Sequence, residues 1–162
     1  MDMKTFKDKY PNEVLRALSW KQPFASLMLH GKIETRVWDS KYRGWVLICA
    51  SKQPYNKNTV YQIAGENYDR YMSIVDALKD DKTASINGMA IAVGYLTSSK
   101  YMGDHSGDKE FIERKCFVGF NSELWMHEYM DVQPIVPFEW KGAQGWRTVD
   151  EETKSKIIFL NE

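Results

Sequence analysis

The sequence predicts an α+β domain in which about six strands form a small curled sheet and a few helices pack around it. The chain has 162 residues, the usual size of one domain and enough to bury a core. Hydrophobic residues make up 43% and charged residues 27%, which is ordinary for a globular protein. No repeat or Pro/Gly/Ser-rich linker divides the chain. We therefore assign residues 1–13 to an N-terminal extension and 14–162 to a single domain.

The predicted strands are short apolar runs or segments in which apolar and polar residues alternate. Residues 45–50 are almost wholly apolar and are predicted to form a central, buried strand. Pro134 and Pro137 are expected to bend the last strand. In chain order, the predicted strands are residues 14–20, 33–38, 45–50, 89–97, 116–120, 124–129 and 132–140.

Three helices are predicted from their end signals and apolar spacing. Pro23 suits the first position of a helix and Gly31 suits a left-handed cap, so a two-turn helix is expected between them. Residues 68–78 carry apolar side chains along one helical face. A capping-box pattern precedes a C-terminal helix at 150–156. The polar segment 98–109 is predicted to be a mobile loop.

The charge balance limits the kind of nucleic-acid binding that the chain can support. Lys plus Arg equals Asp plus Glu, at 22 each. Duplex-binding proteins usually carry a clear basic excess, because phosphate contacts dominate their affinity. The balance therefore argues against an extended nucleic-acid surface but permits a local basic groove or a pocket for one nucleotide. Aromatic residues make up 14% of the chain; we interpret them first as core residues and second as a surface on which bases stack.

The composition also limits the cellular location and the cofactors that we expect for this protein. No run of 18 apolar residues is present, and the polar N-terminus lacks the apolar core of a signal peptide, so we expect a cytoplasmic protein without a membrane span. Cys49 and Cys116 lie in apolar stretches and are expected to be buried free thiols. The three histidines are scattered without metal-ligand spacing, so no metal and no cofactor are predicted.

The strand at 33–38 carries the most specific candidate site. Alternation places Glu34 and Arg36 on one face of this strand and Thr35 on the other. A carboxylate beside a planar guanidinium suits a base edge together with a phosphate or carboxylate. The alternative is an ion pair that only orders the strand. Ser51, at the end of the central strand, is a further hydroxyl for the same cleft.

Other candidates surround this strand. Lys21 and Lys32 stand before and after the short helix, and each is either a solvated surface lysine or a base in a partly dry pocket. Trp20 and Trp38 flank the motif and are either core residues or walls on which a base stacks. Gln22 either caps the helix or contacts a ligand.

An ordered set of motifs covers most of residues 14–149. It consists of Leu18-Ser19-Trp20-Lys21-Gln22-Pro23-Phe24-Ala25, then Gly31-Lys32-Ile33-Glu34-Thr35-Arg36-Val37-Trp38, then Lys41-Tyr42-Arg43-Gly44 and the apolar strand after it, and finally Trp140-Lys141-Gly142-Ala143-Gln144-Gly145-Trp146. In this order the motifs resemble an ASCH domain, a member of the PUA-like superfamily. The turn from Gly31 to Glu34 is two residues shorter than in that family.

The resemblance implies a small PUA-like β-barrel with helices packed around it, which binds RNA or a modified nucleoside or nucleotide in a cleft. The catalytic candidates are Lys21, Lys32 and Glu34, and the ligand-binding candidates are Trp20, Gln22, Arg36, Trp38 and Ser51. One alternative is a small hydrolase, because some ASCH proteins that this chain resembles remove an acyl group from an N4-acylated cytidine or cleave RNA. The other alternative is a protein-interaction module.

Overall fold

The computed structural model describes residues 4–142 and 144–160. Its strands are β1 (Leu15–Trp20), β2 (Glu34–Arg36), β3 (Gly44–Ala50), β4 (Met89–Tyr101), β5 (Trp125–Glu139) and β6 (Arg147–Thr148). Its helices are α1 (Phe6–Lys9), α2 (Phe24–Leu27), α3 (Lys57–Ile63), α4 (Tyr68–Leu78), α5 (Lys109–Cys116) and α6 (Glu151–Lys154). The longest of these described helices has 11 residues, so none of them has the length needed to cross a membrane.

All six strands belong to one mixed sheet in the order β2–β5–β4–β3–β1–β6. β1 and β3 are parallel, whereas the other neighbouring pairs are antiparallel. Within the described residues, no pairing joins the edge strands β2 and β6, so the sheet is not closed into a barrel. The α+β class and the sheet of about six strands are confirmed.

β3 is the centre of the sheet because its side chains are buried on both faces. Alternate residues of a strand point to opposite sides. Trp45 and Leu47 accordingly pack into a cluster on one face, and Val46 and Ile48 pack into a second cluster on the other. The central, buried strand predicted at 45–50 is confirmed.

The two ends of the chain cover one face of this sheet. Phe6 of α1 is fully buried in the same cluster as Trp45 and Phe159. Thr5 forms an isolated β-bridge with Ile158. The segment that precedes β1 therefore supplies part of the core.

The short helix after β1 covers the opposite face. α2 spans Phe24–Leu27, and a 3₁₀ turn continues it to His30, so the predicted helix is present in a tighter form. Pro23 stands one position before the first helical residue. Gly31 has φ 81°, which confirms the predicted left-handed cap. The helix predicted at 68–78 is confirmed as α4.

Two predictions in the second half of the chain are wrong. Residues 98–109 do not form a mobile loop, because β4 continues to Tyr101 and a 3₁₀ turn follows. Residues 116–120 do not form a strand: Cys116 ends α5, and Phe117 terminates the helix with φ 59°. The polar residues that suggested a loop lie instead on the exposed sides of these regular elements.

The strands predicted at 124–129 and 132–140 are one continuous strand, β5. Asp131 adopts φ 50°, and the pairing of β5 with β4 shifts at three places, so β5 bends at bulges instead of ending. α3, which the pattern did not predict, begins after the N-cap Asn56. The C-terminal helix is shorter than the predicted 150–156.

Both cysteines are buried and free, as expected. Burial raises the pKa of the Cys116 thiol to about 11. Burial also raises the pKa of the Cys49 thiol. Because the thiolate is the reactive form, both residues act as packing residues near neutral pH.

We predict that Phe6→Ala destabilises the protein by about 3–5 kcal/mol, because it leaves a cavity beneath the sheet that the surrounding residues fill only partly. The measurement is the free energy of unfolding in urea. Lys7→Ala, an exposed change on the same helix, is the control. A Phe6→Ala protein as stable as the Lys7→Ala protein would show that the segment before β1 is dispensable for the core.

Candidate functional site

A cleft of about 570 Å³ opens where the carboxyl ends of the parallel strands β1 and β3 meet. Trp20 and Ala50 are paired at these ends, so Lys21 and Ser51 follow side by side. β2 and α2 form the other walls. The candidate residues that line the cleft are Trp20, Lys21, Glu34, Arg36, Trp38 and Ser51.

A chain of three charged side chains runs from the cleft, which Glu34 and Arg36 line, to Lys32 behind it. Lys32 Nζ lies 3.2 Å from Glu34 Oε1, and Arg36 Nη2 lies 3.1 Å from Glu34 Oε2. The side chain of Lys32 is 0% exposed, that of Glu34 is 6% exposed and that of Arg36 is 21% exposed. Each carboxylate oxygen therefore has its own cation, and the three groups together carry one net positive charge. The ion pair between Glu34 and Arg36, which was the alternative to a ligand-binding role for these residues, is present, and it borders the cleft.

Lys32 is held behind Glu34 and does not line the cleft. Its ammonium donates to the Ile33 carbonyl at 3.0 Å and lies 5.0 Å from the ring centre of Phe24. Lys21 differs, because it is exposed at the cleft and forms no ion pair with any residue that the structure describes. Lys21 precedes α2 in the sequence and Lys32 follows it. Of these two lysines, Lys21 is the one that a ligand can reach.

Arg36 is the charged group that points along the cleft. Its Nη2 donates to the Ser19 carbonyl at 3.0 Å, in addition to its contact with Glu34. Its Cζ lies 5.0 Å from the ring centre of Trp20 and 5.9 Å from that of Trp38. The guanidinium is thus fixed between two indoles, a geometry that favours a cation.

Several buried polar atoms around the cleft have no hydrogen-bond partner among the described residues. They are Trp20 Nε1, Arg36 Nε, Ser51 Oγ and Tyr129 Oη. Native proteins leave few such atoms unpaired, because each costs about 1–3 kcal/mol of desolvation. Because of their position beside one cleft, only water or a group of a bound molecule that reaches them can pair these atoms.

Gln22 is bound within the fold. Its Nε2 donates to the carbonyls of Thr83 at 2.9 Å and Ile86 at 3.0 Å, and its Oε1 accepts from the Ser26 amide at 3.1 Å. Both amide hydrogens are therefore used, and the residue is buried. Of the two roles considered for Gln22, the structure shows the helix-capping role, and we leave it out of the proposed ligand set.

Thr35 borders the cleft together with Glu34 and Arg36, although strand alternation placed it on the opposite face. β2 has only three residues, so it is too short to hold a strict two-sided pattern. The Thr35 amide also donates to Glu34 Oε1 at 3.0 Å, which draws the carboxylate towards the backbone. The structure therefore places Thr35 among the residues that line the cleft.

Two residues of β5 pack behind the tryptophans of the cleft, and no sequence pattern indicated them. Tyr129 lies with its ring centre 5.9 Å from that of Trp20, and burial raises its pKa, so its hydroxyl stays protonated. His127 packs edge-on against Trp38 at 5.0 Å, with its Nε2 3.0 Å from the Trp38 carbonyl. The pairing of Glu34 with His127 explains this placement, and only the fold reveals it.

The tautomer of His127 follows from its partner. A carbonyl only accepts, so Nε2 carries the hydrogen and donates to Trp38. Burial lowers the pKa of this imidazole from 6.5, which favours the neutral ring. Among the described residues, no group of three or more His, Cys, Asp or Glu has an arrangement that could hold a metal ion.

The closing turn between Trp140 and Trp146 covers one side of the cleft. Gly142 lies so close to Ser19 that a Cβ at this position would stand 2.9 Å from the Ser19 hydroxyl. Trp146 packs against Trp38 with ring centres 6.0 Å apart. Ala143, which belongs to the same motif, lies outside the described residues.

We predict that Glu34→Gln destabilises the protein by about 3–5 kcal/mol, because it leaves the Lys32 ammonium buried without a counter-charge. The double variant Lys32→Met/Glu34→Gln should recover most of this loss. Urea unfolding of the parent, the single variant and the double variant measures both effects. A single variant within about 1 kcal/mol of the parent would contradict the arrangement.

We predict that the free energy of unfolding decreases as the pH falls below about 6.5, in part because of His127. In this range the unfolded chain takes up a proton on the imidazole, whereas the folded chain resists it, so acid favours unfolding. His127→Gln removes the titration and should show a smaller decrease between about pH 7 and pH 5.5. Equal slopes for the parent and the variant would contradict the prediction.

Neither a family model nor a curated protein matches the chain. The ASCH resemblance accordingly stays an expectation that rests on the motifs themselves. The assignment of a function to the cleft depends on its walls, charges and unpaired polar atoms.

Proposed function

We propose that the cleft binds the base and an adjoining phosphate of RNA or of a nucleotide-like ligand. The observation that carries the proposal is the group of buried, unpaired polar atoms on Trp20, Arg36, Ser51 and Tyr129 around an aromatic-walled cleft. A base supplies a flat apolar face and an edge of donors and acceptors, which suits both features.

The walls suit stacking. Trp38 is partly exposed at the cleft, and its ring is fixed by His127 and Trp146. Aromatic residues that stack with bases contribute about 1–3 kcal/mol per base. Trp20 is buried and supports the guanidinium of Arg36 from behind. Of the two tryptophans, Trp38 is therefore the stacking residue in this proposal.

Exposed lysines supply the charge for phosphates. Lys21 stands at the cleft, and Lys52 and Lys141 line a neighbouring depression of about 540 Å³. None of the three forms an ion pair with a described residue. They follow the ends of β1, β3 and β5, which are neighbours through β4 in the same sheet. This cluster is a local basic surface on a chain with no net charge, as a ligand of one or a few nucleotides requires.

The ASCH resemblance supports the same proposal. Its motifs supply Trp20, Lys21, Glu34, Arg36 and Trp38, all of which line the cleft. A PUA-like barrel is the finer fold proposed with it: bending of β5 at its bulges would bring the sheet edges towards each other. The proposal does not depend on closure, since the cleft is formed by β1, β2, β3 and α2 together with the closing turn.

The hydrolase alternative has weaker support. The Lys32 ammonium is held by Glu34 and the Ile33 carbonyl, so it is poorly placed to accept a proton from a ligand. Lys21 remains as the reachable amine, and Thr35 also lines the cleft. An N4-acylated cytidine that is converted to cytidine by the parent, but not by Lys21→Ala, would favour this alternative over simple binding.

We predict that cytidine monophosphate and a single-stranded RNA of about six nucleotides raise the melting temperature of the parent protein. Trp38→Ala should weaken RNA binding by about 5- to 150-fold, which corresponds to the loss of one stacked base. Arg36→Ala should weaken the binding of both ligands, because it removes the cation of the cleft. Lys32 still neutralises Glu34 in this variant, so the fold should be retained.

Arg114→Ala is the matched control, because Arg114 is an exposed arginine on α5. This control should bind both ligands like the parent. If neither ligand shifts the melting temperature of the parent, the nucleotide proposal fails and the protein-interaction alternative becomes the leading one. Binding that is equal in the parent, Arg36→Ala and Trp38→Ala would place the ligand elsewhere on the surface.

A further inference from the structure

A second cavity lies on the helical side of the molecule, away from the proposed nucleotide cleft. It has a volume of about 470 Å³ and is formed by α3, α4 and the 3₁₀ turn at Lys82–Ser85. We call it the helical pocket. Its volume is in the range of pockets that hold small molecules. Neither the sequence motifs nor the proposed function uses any of its residues.

The walls of the helical pocket are apolar. Its lining includes Val60, Tyr71, Ile74, Leu78 and Ala84. Val60, Ile74 and Ala84 are buried, whereas Tyr71 and Leu78 are partly exposed. An apolar lining of this kind favours the hydrocarbon part of a ligand, since its burial removes apolar surface from water.

The only carboxylate that lines the helical pocket, within the described residues, is already engaged. Asp81 Oδ2 lies 2.6 Å from His30 Nε2, and Asp81 Oδ1 accepts from the Thr83 amide at 2.8 Å. The Thr83 hydroxyl donates to the same oxygen. The side chain of Asp81 is 9% exposed. It is therefore a structural group that joins the 3₁₀ turn to the end of α2, and both of its oxygens are used within the fold.

The polar groups that remain free at the mouth are donors. Lys57 and Lys79 are exposed and form no ion pair with the residues that the structure describes. The Tyr55 hydroxyl makes no hydrogen bond within residues 4–142 and 144–160, and burial followed by the Asp81 charge raises its pKa, so it stays protonated. The Asn56 side chain uses its oxygen to accept from Thr59, which leaves its amide hydrogens free. A ligand with acceptors and negative charge complements this rim.

We propose that the helical pocket binds a small amphipathic carboxylate, with an aromatic or aliphatic body against Val60, Ile74 and Leu78 and its carboxylate between Lys57 and Lys79. The apolar walls select the body of the ligand, and the donor rim selects its charge. A neutral ligand of the same shape satisfies the walls but leaves the two ammonium groups without a partner. The charge is therefore the feature that distinguishes this site from a simple apolar cavity.

The test uses naphthalene-2-carboxylate as the probe and naphthalene-2-carboxamide as its uncharged match. Isothermal titration of the full chain should show the carboxylate binding at least about tenfold more tightly, as expected for hydrogen bonds to a charged group. Lys57→Ala/Lys79→Ala should reduce the affinity for the carboxylate to that for the carboxamide. Both lysines are exposed, so this variant should fold like the parent.

Two further variants locate the probe. Val75 stands partly exposed at the rim, and Val75→Trp should fill the mouth and abolish binding of both probes. Arg36→Ala alters only the nucleotide cleft and should leave the affinity for the carboxylate unchanged. Equal affinities of the parent for the two probes, loss of binding in Arg36→Ala, or no binding at about 1 mM probe would each overturn the proposal. None of these outcomes bears on nucleotide binding, which the RNA titrations measure separately.

Discussion

The carboxylate of Glu34 is the group on which the site depends. It is nearly buried, so it is stable there only because Lys32 and Arg36 each supply a cation. In return it fixes both partners: Lys32 is held against α2 through the Phe24 ring, and Arg36 is held between the indoles of Trp20 and Trp38. One buried charge therefore sets the relative positions of β2, α2 and the end of β1. These three elements form most of the cleft.

The sheet explains why a chain with no net charge has a local basic surface. The parallel pair β1 and β3 brings two carboxyl ends to one edge, and the residues that follow them are Lys21, Ser51 and Lys52. Elsewhere many charges are paired, as between Arg70 and Glu113 or Lys100 and Glu128. The chain thus has equal numbers of acidic and basic residues, but their charges are unevenly distributed over its surface. The overall charge argues against an extended basic surface, and the sheet determines where the local one lies.

Local signals predicted the elements that local chemistry determines. Three features were predictable: the apolar face of the 11-residue helix α4, the Gly31 cap and the apolar run of β3. Each depends on residues only a few positions apart in the sequence. Long-range pairing was not predictable. β5 stays continuous through Asp131 because it pairs with β4 along most of its length.

The residues of the candidate site show the same difference between local and long-range signals. Glu34, Arg36 and Trp38 belong to one short segment, so their proximity could be predicted from the sequence. His127 reaches the site because β5 pairs with β2, and Tyr129 does so because β5 pairs with β4; a single sequence contains no signal of either register. Gln22 was ambiguous for a related reason, because its partners lie in the distant 3₁₀ turn at 82–85 and just beyond it. Burial of Lys32 likewise depends on packing that spacing alone does not reveal.

The brevity of the two edge strands has a consequence for self-association. β2 has three residues and β6 has two. An edge strand with a long row of unpaired amides and carbonyls is a template on which another chain can add a strand. Edges of two and three residues offer very few such groups. Beyond β2, part of the edge of β5 is bonded by the C-terminal segment, because the Val136 amide donates to the Ile158 carbonyl and the Leu160 amide donates to the Pro134 carbonyl. The same short β2 carries Glu34, Thr35 and Arg36, so the segment that bears the proposed ligand site is also one that offers little edge for another chain to pair with.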